Sequence, residues 1–168
     1  MSVDKVYLVG FMGAGKSSVA RALARRLDWR AVDVDALIEA REHRSVSDIF
    51  SGKGEAYFRA LERAVLLDHL AERHLVVATG GGTFVDPANR EAINRDGLSV
   101  WLDVPLKTLV ERVPADGRRP LAQDRAAFER LYHARTEAYR HARLHVSGGR
   151  RSVHDIVDEV AGAVRELA

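Results

Sequence analysis

Eight residues, Gly10-Phe11-Met12-Gly13-Ala14-Gly15-Lys16-Ser17, constrain the fold of this 168-residue chain more than any others. They satisfy every fixed position of the pattern G-x-x-x-x-G-K-[ST]. The flanks agree. Val6-Tyr7-Leu8-Val9 reads as a buried strand, and Ser17 to Leu27 has helical spacing, with Val19, Ala20, Leu23, Ala24 and Leu27 on one face. A strand, a glycine turn and a helix in that order direct free backbone N–H groups and the positive end of a helix at one point, where a phosphate binds. Gly13, Ala14, Gly15, Lys16, Ser17 and Ser18 then form a nucleotide cradle. Lys16 reaches the β- and γ-phosphates, and the Ser17 hydroxyl holds Mg²⁺.

Four further apolar runs read as strands, at residues 30–32, 75–78, 98–102 and 144–146. Helical patterns at 55–72, 87–95, 105–113, 125–141 and 152–167 lie between and after them. This alternation predicts an α/β fold: one domain, residues 1–168, with a parallel sheet and helices on both faces. Two segments interrupt it. Residues 33 to about 61 insert extra helical material after the second strand. Residues 114–120, within a break of about 112–124, are polar and contain Gly117 and Pro120. Beside a phosphate loop these are expected to be a substrate-binding subdomain and a lid.

Composition sets bounds. No apolar run approaches the roughly 20 residues of a membrane span, and the N-terminus does not read as a secretory signal. The chain has no cysteine, which removes disulfides and thiolate chemistry. The net charge of +2 does not argue for a nucleic-acid partner. Between Glu111 and Arg151, ten Arg face five acidic residues, but Arg supplies 22 of the 26 basic residues throughout, so only Arg at a motif position is informative. The seven His show no paired metal-ligand spacing.

Other residues could carry chemistry. Asp33 and Asp35 follow the second strand, at the end of an open α/β sheet where ligands collect. On an extended segment they would point to opposite sides, one toward Mg²⁺ through water and one toward a substrate hydroxyl. Taken alone, helix capping is the simpler account of Asp35, which precedes Ala36-Leu37-Ile38-Glu39. Arg59 lies on a long helix with Glu55 and Glu62 at ion-pair spacing, which a solvated charge row also explains. Gly80-Gly81-Gly82 follows a central strand. Three successive glycines cost backbone entropy, so they favour close approach of a ligand over a plain turn.

Together these motifs resemble shikimate kinase over nearly the whole chain: Gly10 to Ser17, Asp33-Val34-Asp35, Gly54-Glu55-Ala56-Tyr57-Phe58-Arg59, Gly80 to Gly82 and Arg119-Pro120-Leu121, in that order. The resemblance implies ATP-dependent phosphorylation of the 3-hydroxyl of shikimate in aromatic amino-acid biosynthesis, by a cytoplasmic enzyme using Mg²⁺. It implies a fold similar to nucleoside monophosphate kinases, with a five-stranded parallel sheet. Asp35 matches the family's shikimate-hydroxyl aspartate, and Arg59 and Arg135 its carboxylate-binding arginines. Gly81, flanked by Gly80 and Gly82, matches its substrate-contacting glycine. Arg119 matches its lid arginine at the ATP phosphates, and Arg112 and Arg151 would lie beside adenine. Lys16, Asp35 and Arg119 are thus the expected catalytic residues, Ser17 and Asp33 the metal-side pair. A monomer is expected, with no nucleic-acid or membrane partner.

This chain departs from the family pattern at Arg135-Thr136-Glu137-Ala138-Tyr139, where Arg-x-Pro-Leu-Tyr is usual, and at Ala122 after Arg119-Pro120-Leu121. Rival readings are a gluconate-type kinase, a nucleoside monophosphate kinase (disfavoured by the lack of a long lid insertion), a nucleotide-dependent switch, and a module that binds without turnover. The switch would need a base-reading Asn-Lys-x-Asp sequence, which does not occur.

Overall fold

Every residue of β1, Lys5–Val9, is buried. Successive side chains of a strand face opposite sides, so both faces of the sheet are covered at its centre. The computed structural model describes residues 2–112 and 124–168. Its elements run β1, α1 (Lys16–Leu27), β2 (Arg30–Asp33), α2 (Val34–Glu42), α3 (Val46–Lys53), α4 (Glu55–Asp68), β3 (Leu75–Ala78), a 3₁₀ turn (Thr83–Val85), α5 (Pro87–Asp96), β4 (Leu98–Asp103), α6 (Leu106–Arg112), α7 (Arg125–Tyr139), β5 (Leu144–Ser147) and α8 (Val153–Glu166). The five strands form one parallel sheet in the order β2-β3-β1-β4-β5. The inner strands β3 and β4 are almost wholly buried, whereas the edge strands β2 and β5 are half-exposed. Helix α1 lies over β3 and against α8, while α2, α3 and α4 pack on one another.

The excursion expected after β2 is the α2–α3–α4 group. Helix ends follow local chemistry: Ser45, Asp86, Asp124 and Ser152 each accept a backbone N–H as N-caps of α3, α5, α7 and α8, and Pro87 occupies the first turn of α5. One boundary differs from the sequence pattern. The spacing predicts a helix over 55–72, but α4 stops at Asp68. The buried Lys5 ammonium takes the His69 carbonyl, and the chain continues through tight turns to enter β3. A long-range bond overrides the local periodicity. Among the described residues no helix is long and apolar enough to cross a membrane.

Candidate active site

The phosphate loop lies between the carboxyl end of β1, the middle strand, and the start of α1. Gly13 and Gly15 have φ of 84° and 96°, a region that favours glycine. At Gly10 (φ 150°) an added Cβ would lie 3.0 Å from the Leu102 carbonyl. Gly15 is the N-cap of α1 and brings no side-chain acceptor, so the first N–H groups of α1 face the loop. The Lys16 ammonium curls over the loop and donates to the carbonyls of Gly10 (2.5 Å) and Phe11 (3.0 Å). Ala14 is buried, while Ser18 is exposed at the rim of α1.

Asp33 ends β2 and performs two tasks. One oxygen caps α2 by accepting from Ala36 N–H at 3.0 Å, and the other accepts from the Ser17 hydroxyl. The N-cap of α2 is therefore Asp33, which corrects the capping alternative for Asp35. The two carboxylates diverge for a different reason from strand alternation: the chain turns helical at Val34, so Asp35 lies in the first turn of α2. Among the described residues, one buried Asp35 oxygen meets no hydrogen-bond donor. Burial pushes its carboxyl up to about 6, against the pull of Lys16 and with the help of the carboxylates of Asp33, Glu62 and Glu39.

Each of the three glycines lies beneath a different charged side chain. A Cβ on Gly80 would sit 2.8 Å from an Asp35 oxygen, one on Gly81 2.9 Å from the Arg135 guanidinium, and one on Gly82 2.5 Å from that of Arg59. The sequence-predicted residues Asp35, Arg59, Arg135 and Gly80 to Gly82 thus come together, although they arise from α2, α4, α7 and the β3 exit. The same floor adjoins the phosphate loop, since the Gly81 Cβ position is 3.6 Å from Met12 N. Arg135 lies over the Phe11 ring at 5.8 Å, and Arg59 over Phe58 at 5.3 Å. Burial, together with the neighbouring Arg59 charge, lowers the Arg135 guanidinium below its ordinary value. A guanidinium group that feels a second positive charge is relieved by a bound anion, which it can hold through paired hydrogen bonds.

Glu62 was seen in the sequence only as an ion-pair neighbour of Arg59. It is in fact buried, with its side chain 1% exposed, and both oxygens meet Arg59, at 3.0 and 3.1 Å. A solvated charge row therefore does not describe Arg59; that description fits only Glu55, 68% exposed at 3.5 Å. Tyr139, which the sequence offered only as the end of the Arg135 motif, donates its hydroxyl to the Gly81 carbonyl at the base of the floor. Arg112 ends α6 and donates to the carbonyls of Gly13 (3.0 Å) and Gly149 (2.7 Å), tying the phosphate loop to the loop after β5. Arg151 is directed at α8, bonding Glu159, the Ser147 carbonyl and the Asp155 carbonyl. Arg119 and residues 114–120 lie outside the described residues.

A parallel five-stranded sheet with a phosphate loop after its middle strand defines the class: an α/β P-loop kinase. Comparison with known proteins gives the family. A family model described as shikimate kinase matches residues 12–165. A shikimate kinase of Persephonella marina is 42% identical over 161 residues, 95% of this chain and 98% of that protein. Among solved structures, shikimate kinase from Acinetobacter baumannii in complex with shikimate aligns with a TM-score of 0.90 at 32% identity, covering 98% of this chain and 94% of that one. The Aquifex aeolicus enzyme aligns at 0.86 and 33% identity, covering 96% of each chain. The chain belongs to the shikimate kinase family.

Proposed function

We infer that this chain transfers the γ-phosphoryl group of ATP to the 3-hydroxyl of shikimate, giving shikimate 3-phosphate and ADP. The observation that carries this reading is the glycine floor, which presents one desolvated carboxylate and two guanidinium groups beside the phosphate loop. Shikimate offers one carboxylate and several hydroxyls. Arg59 and Arg135 bind the carboxylate, for which planar guanidinium groups are suited. Gly81 allows the ring to approach the backbone. Asp35 orients the attacking hydroxyl and accepts its proton, a task suited to a carboxyl whose affinity for protons burial has raised. Residues 33–61 serve as the substrate-binding subdomain, and about 112–124 as the lid.

On the nucleotide side, the N–H groups of Gly13 to Ser18 and the Lys16 ammonium hold the phosphates. Arg112 and Arg151 flank the adenine, and Arg119 supplies charge at the phosphates as transfer proceeds. Kinases that use ATP draw on a divalent metal, and the donors here fit Mg²⁺. The Ser17 hydroxyl and the Asp33 carboxylate are hard oxygens in mutual contact, and Mg²⁺ takes its other ligands from water and phosphates. Ser17 would bind it directly and Asp33 through water. The ion would neutralise charge on the phosphates. We place the enzyme in the cytoplasm as a monomer.

A coupled ADP-release assay with Mg-ATP across shikimate, gluconate, quinate and AMP tests the assignment. Shikimate should exceed gluconate and AMP by at least ~100-fold in kcat/KM, about 2.7 kcal/mol of discrimination. Equal turnover of either competitor would remove it.

A further inference from the structure

Thr83 opens the 3₁₀ turn after the glycine run and is fully buried. Its hydroxyl meets two groups of fixed polarity. The Gly80 N–H can only donate, and lies 3.0 Å from the oxygen; the Glu62 carboxylate accepts, at 2.9 Å. A hydroxyl has one hydrogen and two lone pairs, so Thr83 must accept from Gly80 and donate to Glu62. The backbone of Thr83 is held as firmly: its N–H donates to the Gly80 carbonyl, and its carbonyl accepts from the buried Asn89 amide at 3.1 Å. A rigidly placed hydroxyl therefore joins the first glycine of the floor to the carboxylate that grips Arg59.

We propose that Thr83 is a positioning residue for substrate-carboxylate recognition: its hydroxyl orients Glu62, and through it the Arg59 guanidinium, while fixing the Gly80 N–H of the glycine floor. The proposal rests on the assignment of Arg59 to the shikimate carboxylate. Without the hydroxyl, one Glu62 oxygen keeps, among the described residues, Arg59 alone as a hydrogen-bond partner, and the buried Gly80 N–H loses its Thr83 acceptor. Both groups then turn to find new partners, and Arg59 follows Glu62 away from its aim. Asp35, whose oxygen borders Gly80 beside that same Glu62 oxygen, is reached only indirectly. The effect therefore falls on binding of the carboxylate more than on phosphoryl transfer.

The test compares Thr83→Val, which keeps the shape and removes the hydroxyl, with Thr83→Ser, which keeps the hydroxyl. Calorimetry gives the Kd for shikimate and for its uncharged carboxamide analogue without nucleotide; steady-state assays give KM and kcat, and melting curves check the fold. Thr83→Val should weaken shikimate binding about 10-fold, lower kcat less than ~3-fold, and narrow the preference for the carboxylate over the carboxamide. Thr83→Ser should stay within ~2-fold of the parent. Thr83→Ala removes the same hydroxyl and decides the matter if the valine variant does not fold. Parental affinity in a folded variant without the hydroxyl, or equal losses in the serine and valine variants, would overturn the proposal. Arg59→Ala, measured alongside, separates the two layers. If that variant binds shikimate normally, the carboxylate assignment itself falls; if it binds weakly while Thr83→Val binds normally, only the role of Thr83 falls.

Discussion

A carboxylate oxygen buried without a donor costs stability, and Asp35 holds one among the described residues. Its folded affinity for protons, pushed up to about 6, exceeds that of an unfolded aspartate at 3.8. Between those values the folded protein binds more protons than the unfolded one, so the contribution of Asp35 to stability falls as pH rises through this window. Above pH 6 the charged form is a net cost, borne where the reaction needs a base. Asp35→Asn removes that charge at nearly constant shape. It should raise Tm at pH 7.5 by about 2–5 °C, with the gain shrinking toward pH 4. In the same variant kcat should fall by ~10²–10⁴-fold. The parental kcat/KM should also decline as pH drops below about 6, where Asp35 takes up its proton. A variant that is more stable and fully active would leave Asp35 no part in the chemistry. The sequence pointed to Asp35 through its place after a strand, but its cost was illegible there, because the groups that desolvate it come from α4 and the glycine run.

At the level of elements, the glycine run shows which part of the site could be read from the chain. Three consecutive glycines after a strand announce a close approach. They do not announce which side chains approach, since Asp35, Arg59 and Arg135 lie on three helices that only the fold brings together. Nothing in Gly82-Thr83-Phe84 distinguishes Thr83 from a turn residue, and the burial of Glu62 cannot be inferred from its spacing to Arg59. Gly82 gives a direct check. Its backbone, at φ −103°, accepts any residue, so Gly82→Ala strains nothing locally. The three atoms nearest the added Cβ all belong to the end of the Arg59 side chain, the first at 2.5 Å, and that flexible end can move aside. Tm should therefore stay within ~2 °C of the parent while the shikimate KM rises about 10–100-fold, as expected for a displaced binding group. An unchanged KM would mean that Arg59 does not act from the position it holds here. Gly97→Ala is the counter-case: there the Cβ would meet the Lys5 carbonyl at 2.7 Å, a backbone atom that cannot yield, and stability should suffer instead.

Across the whole molecule the two ends of the sheet carry different burdens. The strand and helix alternation made the α/β architecture legible, because each inner strand is built around a short apolar run. What it hid is the polar cluster at the amino end of β1, where Lys5 is fully buried. Lys5 meets Asp96 at 2.8 Å, and the same carboxylate accepts from Tyr7 and from Arg73, which also pairs with Asp4. That cluster also ended α4 early, through the bond from Lys5 to the His69 carbonyl. Burial alone would push the Asp96 carboxyl up, but the bonds from Lys5, Tyr7 and Arg73 bring it below its ordinary value. Its stabilisation is thus present at neutral pH and lost as pH falls through that lowered value. Residues Lys5 to Val9 separate the cluster from the phosphate loop by roughly 13 Å of strand, so we expect stability and catalysis to part company there. Asp96→Ala leaves the Lys5 ammonium buried without its counter-charge, a loss of about 3–5 kcal/mol. For a domain of this size that lowers Tm by about 6–20 °C. Lys5→Met should cost much less, because it replaces a buried charge with an apolar side chain of similar length while Asp96 keeps Tyr7 and Arg73. Below the melting range, kcat and both KM values of either variant should remain within ~2-fold of the parent. A loss of shikimate turnover in Asp96→Ala with an unchanged Tm would instead tie the amino end of the sheet to the reaction at its far edge.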